Sequence, residues 1–221
     1  MRSYRQYCAL ARGLDVVGDR WTLLLVRELL EGPRRYRDLL DGLPGIATNL
    51  LAERLRGLEA SGVVVRRDDG RYALTPWGQG LREVLYTFAR WAAPLMAVPL
   101  GDDAFRPHWL HNLVGALFDD VDPERANLTV EVRCDDEPST IIAAAGRVRI
   151  TPGSVPDPDV VLAGPPNGVI GLLAGRIDEA FATDLGVTII GDARQLTHLR
   201  PRPLSETGGP PPRPTGTRSL G

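Results

Sequence analysis

Between residues 41 and 76 the chain carries a run of punctuation that few folds can accommodate. Asp41-Gly42-Leu43-Pro44-Gly45 forces a turn, because Pro44 disfavours helical geometry in the residue before it and the glycines tolerate positive φ. Helical spacing resumes at once over Ala47 to Ser61, where Leu51, Leu55 and Leu58 mark one buried stripe and Gly62 stands where a terminating glycine would. Two short strands follow, Val63 to Arg67 and Arg71 to Leu74, around the hairpin signal Asp68-Asp69-Gly70. Thr75 as N-cap and Pro76 at the first helical position then launch a helix expected to run unbroken to about Ala93, ended by Pro94.

Upstream, Tyr7, Leu10, Leu14 and Val17 predict a helix from Tyr4 to Val17. A second starts at Asp19, its expected N-cap, with Trp21, Leu24, Leu25, Leu29 and Leu30 inward, and a third covers Arg35 to Leu40. Helix, helix, helix, turn, helix, hairpin, helix is the order of a mostly α winged helix-turn-helix domain. In that geometry the side of the fourth helix opposite its leucines faces outward, placing Thr48, Asn49, Ala52, Glu53 and Arg56 at the edges of base pairs. Arg34, Arg35 and Arg37 before the turn and Arg66, Arg67 and Arg71 on the wing would neutralise phosphates; taken one at a time, each could equally be a solvated surface charge.

Charge supports a division. The net charge is -2, yet 15 Arg stand against 11 acidic residues up to residue 100, and 11 Arg against 17 acidic residues after it. A basic first half suits a polyanion and an acidic second half would stay off it. All 26 basic residues are Arg, which reads as coding bias and carries no functional weight. The expected organisation is a winged-helix domain over 1–97, a linker over 98–106, an α+β domain over 107–204 and a disordered Pro/Gly-rich tail over 205–221. The last helix of the first domain has more apolar residues than one small domain can bury, so Leu81, Leu85, Phe88 and Trp91, with Tyr7, are expected to pair two copies in a homodimer.

The first domain resembles the HxlR group of winged-helix regulators, relatives of MarR. The resemblance rests on Cys8, on Leu14-Asp15-Val16-Val17-Gly18-Asp19-Arg20-Trp21-Thr22 through Leu29, on Arg35-Tyr36-Arg37-Asp38-Leu39, on Leu43-Pro44-Gly45-Ile46 and on Leu51 through Glu59. It implies a dimeric transcription regulator, a repressor by the habit of the group, on a double-stranded palindromic operator. The chain departs from the group's pattern at Ala9, where proline is usual, at Ala47, where serine is usual, and in a shorter wing. Ala47 cannot cap the recognition helix, which would leave that role to Thr48. In several members the N-terminal cysteine senses oxidants or electrophiles, and Cys8 matches it by position; from its surroundings Cys8 is equally readable as a small buried structural thiol.

The second domain is predicted as helix over His108 to Phe118, strands over Leu128 to Cys134, Thr140 to Ala145, Arg147 to Thr151 and Asp159 to Ala163, helices over Pro165 to Gly175 and Asp178 to Asp184, a strand over Val187 to Ile190 and a last helix capped by Asp192. Asp159 to Leu162, Gly168 to Arg176 and Val187 to Asp192 resemble the sterol-carrier-protein fold. That resemblance implies an apolar tunnel for a small hydrophobic ligand, with Trp109, Leu113, Leu117, Ile142, Leu172, Leu173 and Phe181 as its lining; the alternative is that they fill a core. Gly168, Gly171 and Gly175 match no phosphate-loop spacing and read as close-packing positions.

Other classes find little support. His108 and His111, spaced i,i+3, have no third histidine or cysteine nearby, so no metal is expected, nor any cofactor. No G-x-S-x-G elbow, H-E-x-x-H or kinase set is present, so no enzyme activity is expected, and Asp119, Asp120 and Asp122 read as a solvated helix end. Arg2 and Arg5 interrupt the N-terminus and no stretch approaches the ~18 uncharged apolar residues of a membrane span, which predicts a cytoplasmic protein without a membrane partner. A rival reading is a lipid-carrier or protein-interaction module whose winged helix only dimerises.

Overall fold

A computed structural model describes residues 3–97, 103–134 and 137–201, except the side chains of 96, 97, 113, 200 and 201. The expected tail over 205–221, much of the expected linker and the side chain of Leu113 lie outside the described residues.

The first half builds helices α1 (Ala9–Val17), α2 (Thr22–Leu30), α3 (Tyr36–Gly42) and α4 (Thr48–Ala60), strands β1 (Val64–Arg66) and β2 (Tyr72–Leu74), then α5 (Pro76–Gln79) and α6 (Leu81–Ala92). Helix α1 starts later than its periodicity predicts: Arg5 takes a positive φ of 52°, and Asp15 holds the segment before the helix through Ser3 Oγ and the Tyr4 amide, both at 2.8 Å. Asp19 does not cap α2. Its carboxylate pairs with Arg54 at 3.0 Å, and Trp21 occupies the N-cap position in the left-handed region at φ 76°, uncommon for a bulky residue. Leu25, Leu29 and Leu30 point into the core as expected and Val26 joins them, whereas Leu24 is exposed.

Helix α4 closes as its sequence dictates. Leu51, Leu55 and Leu58 are buried, and after Ser61 the amides of Gly62 and Val63 bond back to the carbonyls of Glu59 and Leu58 at 3.0 Å each. This double bond is a Schellman motif, made possible by Gly62 at φ 74°. Strands β1 and β2 pair antiparallel, Val64 with Leu74 and Arg66 with Tyr72, and Arg34 joins Tyr72 through a further bridge. The single long helix expected after Thr75 is instead two. Thr75 caps α5 through the Gly78 amide, and Gly78 packs so tightly on the Val63 carbonyl that a Cβ would clash; a shorter-range bond from the Gly80 amide to the Trp77 carbonyl ends α5, and α6 begins afresh. Pro94 lies within a 3-10 turn, Ala93–Ala97, rather than beyond the end.

The second half has its own core. After α7 (Trp109–Leu117) come β3 (Phe118–Asp120), β4 (Leu128–Cys134), β5 (Glu137–Ala144), β6 (Arg147–Pro152), β7 (Val160–Ala163), α8 (Pro166–Leu173), α9 (Glu179–Asp184), β8 (Thr188–Gly191) and β9 (Leu199–Pro201). A five-stranded sheet runs β6-β5-β4-β7-β8, antiparallel except between β4 and β7, while β3 and β9 form a separate pair. Helix α8 packs on β4 and α7 on β6, over Val130, Val132, Ile141, Leu162 and Leu173. Gly168 meets Val187 and Gly171 meets Ile177 where side chains would intrude, which is the close packing expected of them. The segment capped by Asp192 is a 3-10 helix, Ala193–His198.

The small β3–β9 pair was not legible in the sequence and overturns one expectation. Asp120 is a buried strand residue, not a solvated helix end: its two carboxylate oxygens accept the amides of Asp122 and Gly146 at 3.1 and 2.9 Å.

Candidate nucleic-acid interface

Helix α4 is presented by the two elements before it. The hydroxyl of Tyr36 on α3 donates to the Thr48 carbonyl at 2.6 Å, tying the start of α4 to α3, and the buried leucines fix its roll. Thr48, Asn49, Glu53 and Arg56 are therefore exposed, and Ala52 half-buried, on the side away from the core. The N-cap is Ala47, at φ -75° and ψ 142°, with no side-chain cap bond; Thr48 is the first helical residue and does not take over that role. The first amides of α4, which no intrahelical carbonyl can satisfy, have no side-chain cap from Ala47, and Thr48 and Asn49 stand exposed at the same end.

The arginines divide into two sets. Arg34, Arg35, Arg37, Arg56, Arg66 and Arg67 have no carboxylate within ion-pair distance among the described residues. Arg71 is different. Its guanidinium is paired with Asp69 at 2.6 Å inside the wing turn, and that bond draws Asp69 below the usual carboxylate range and Arg71 upward, so it serves the hairpin first. Glu53 pairs with Arg54 at 3.0 Å, which leaves the acid compensated on the outer side of α4.

Cys8 is exposed at the N-cap of α1, which removes the buried-thiol alternative. The backbone amides of Ala11 and then Leu10 at the helix start draw its thiol below the ordinary value. The cause is the helix start rather than Arg5 or Arg12. Cys134 is the buried one.

Of the residues expected to pair two copies, Leu81 and Leu85 pack on the core of their own chain, whereas Tyr7, Phe88 and Trp91 are exposed, as are Leu10, Leu14 and Val84. No residue of α6 is fully buried, and Phe88 and Trp91 lean on each other with ring centroids 5.5 Å apart.

Of the seven residues expected to line a ligand tunnel, the side chain of Leu113 lies outside the described residues and the other six do not share one cavity. Leu172 and Leu173 border an apolar cavity of about 510 Å³ with Ile177, Leu196 and Leu199. Leu117 packs on the core, Ile142 is half-buried in β5, and Phe181 is exposed. Trp109 has moved furthest from expectation: its indole N–H donates to Glu28 of α2 at 2.9 Å, and the Arg27 guanidinium lies 4.2 Å from its ring centroid.

That contact belongs to a polar seam that sequence reasoning missed. Helix α7 packs on α6 and sends His108 to Glu28 and His111 to Glu31, each at 2.7 Å, with Asn112 also donating to Glu31 at 3.0 Å. A carboxylate set among the leucines of α2, and two histidines at the same spacing, were the signal that could have found it. The histidines thus face acids across the seam, and no group of three or more potential metal ligands forms among the described residues. Nor is any described helix long and apolar enough to cross a membrane.

With this geometry in place, the chain can be set beside known proteins. The profile of the HxlR-like helix-turn-helix family matches residues 16–98. The chain is 37% identical to the HTH-type transcriptional regulator sll1512 of Synechocystis sp. over 84 residues, covering 35% of this chain and 62% of that one, less than two thirds of its length. It is 34% identical to YvaP of Bacillus subtilis over 88 residues, covering 37% of this chain and 81% of YvaP, and 32% identical to YodB of the same organism over 84 residues, covering 75% of YodB. A crystal structure of quinone-bound YodB superposes on 38% of this chain and 94% of its own with a TM-score of 0.37.

Proposed function

The chain belongs to the HxlR-like helix-turn-helix family, and from that premise we propose that it is a DNA-binding transcription regulator that grips an inverted-repeat operator as a homodimer. The observation that carries this reading is the two-sidedness of α4: Leu51, Leu55 and Leu58 are buried while Thr48, Asn49 and Arg56 are exposed, flanked by arginines without carboxylate partners among the described residues. Asn49 offers a bidentate amide for adenine, Arg56 a fork for guanine or phosphate, and Arg34, Arg35, Arg37, Arg66 and Arg67 supply the phosphate contacts that set register. Two copies joined through α1 and α6 would set half-sites about 34 Å apart, one helical turn of the duplex.

Three finer features complete the proposal. The regulator represses; the exposed, acidified thiol of Cys8 is its redox or electrophile sensor; and the second half, read as a sterol-carrier-like domain joined to the winged helix by a linker, takes a small hydrophobic ligand in the cavity beside Leu172 and Leu173. Titrating a duplex that holds the inverted repeat upstream of the protein's own gene tests the core of the reading. Affinity should fall steeply with salt, and Arg35→Ala, Asn49→Ala and Arg56→Ala combined should abolish it, with Arg56→Ala alone reducing the salt slope by about one if it contacts phosphate. No duplex binding at low salt would replace this reading with a carrier module that uses its winged helix to dimerise.

A further inference from the structure

The second core and the turn between α3 and α4 meet through one carboxylate. We propose that Glu28 is a positioning residue: held by α7, it props Gly42 at the end of α3 and so transmits the seating of the second core to the turn that aims α4.

Glu28 is buried beside the leucines of α2, where a carboxylate oxygen without a donor is costly. Its two oxygens are satisfied from different directions. Oε1 accepts Arg27 Nη2 at 2.8 Å and the Trp109 indole N–H at 2.9 Å. Oε2 has one hydrogen-bond partner among the described residues, His108 Nε2 at 2.7 Å, and the same oxygen lies against α3, since a Cβ on Gly42 would stand 2.5 Å from it. Oε2 therefore has the second core on one side and α3 on the other. Gly42 is buried and ends α3, with Leu43 as the C-cap. The Leu43 amide bonds to the Leu40 carbonyl at 3.4 Å and the Ile46 amide to the Leu43 carbonyl at 3.1 Å, which shapes the turn into Thr48.

The two contacts of Oε2 depend on each other. Without His108 the oxygen is buried with no donor, so the carboxylate swings toward Arg27 or water and leaves a gap where Gly42 was supported. In the reverse sense, a methyl group on Gly42 takes the space of Oε2 and pushes it off His108. Coupling of this kind runs in both directions with equal strength. Oε1 gives no escape from α7, because Arg27, its other partner, stacks 4.2 Å from the Trp109 ring centroid. Any displacement of α7 thus disturbs both oxygens. The effect of the relay on operator affinity rests on the regulator reading above; the relay itself does not.

Nuclear magnetic resonance of the isotope-labelled full chain, free of DNA, tests the relay from both ends. His108→Ala should speed amide exchange at Leu43 and Ile46 at least tenfold and leave Gly62 and Val63, bonded at the far end of α4, nearly unchanged, whereas a general loss of stability would speed all four alike. Trp109→Phe, which keeps an aromatic ring beside Arg27 and removes only the indole donor, gives the same comparison should the alanine variant lose its fold. From the other end, Gly42→Ala should move the Trp109 indole N–H resonance upfield as its bond to Glu28 weakens, the signal being identified by its absence in Trp109→Phe. The proposal is overturned if exchange at Leu43 and Ile46 rises no more than at Gly62 and Val63, or if Gly42→Ala leaves the indole resonance in place. A chain that fails these tests and still binds its operator leaves the regulator reading standing.

Discussion

His108 Nε2 stands 2.7 Å from Oε2 of Glu28, whose side chain is 3% exposed, and so joins the N-cap of α7 to the last turn of α2 in the winged-helix core. Three residues further on in each segment the pairing repeats between His111 of α7 and Glu31, the C-cap of α2. One turn of each helix separates the two rungs, so the match of spacing, acid on α2 and imidazole on α7, sets how the halves meet. Glu28 also accepts from Arg27 at 2.8 Å and from the Trp109 indole at 2.9 Å. Burial pushes its carboxyl up, but the hydrogen bond from His108 and the charge of Arg27 outweigh it and hold the group below the usual carboxylate range.

A depressed folded pKa has a definite sign. Glu28 contributes stability that is present above the ordinary carboxylate pKa of about 4.3 and is lost as pH falls through the folded value. Glu28→Gln should therefore cost about 2 kcal/mol near neutral pH, the scale of a charge-assisted hydrogen bond, and flatten the acid limb of stability measured by urea unfolding. An unaltered pH profile in the variant would show that the carboxylate does not govern the seam.

Ala47 occupies the N-cap of α4 in the extended geometry that a capping side chain needs, yet offers no acceptor. Ala47→Ser should raise stability by about 1 kcal/mol and lift Tm by several degrees, read by thermal unfolding. No gain would mean that the free amides at the start of α4 are already well solvated.

Phe88 and Trp91 are 56% and 70% exposed on a helix that buries no residue fully. Contiguous apolar surface of this kind marks an association face. Trp91→Glu should weaken self-association at least tenfold in sedimentation equilibrium and leave the monomer folded, whereas Leu85→Glu should unfold it, because Leu85 packs on the core of its own chain. Wild-type protein that sediments as a monomer at micromolar concentration would refute the pairing.

Cys8 and Cys134 should separate cleanly by reactivity. The rate of Cys8 alkylation by iodoacetamide should reach half its maximum at a pH below the ~8.5 of a free cysteine, because amide donors at the start of α1 stabilise the thiolate. Cys134, buried within β4, should react only on unfolding. A midpoint for Cys8 at or above that of free cysteine would remove its claim to special reactivity.

The residues alone determined whatever depends on local period and local chemistry. Leu51, Leu55 and Leu58 recur at helical spacing, Gly62 supplies the positive φ of a Schellman turn, Asp68-Asp69-Gly70 closes a hairpin, and each of these elements forms within two residues of where it was read. The outward side of α4 follows from the same period, since burying one stripe of a helix exposes its opposite. What lies between elements distant in sequence was decided by the tertiary structure. Glu28 and His108 are 80 residues apart, and the strands of the β3–β9 pair are just as remote from each other. Trp109 and Leu85 are apolar in any reading, but whether they line a tunnel, join two chains or anchor a seam depends on which surfaces compete for them. Hydrophobic burial is non-directional, so periodicity says that a side chain leaves water without saying against what; partners such as the carboxylate of Glu28 exist only once the helices have met.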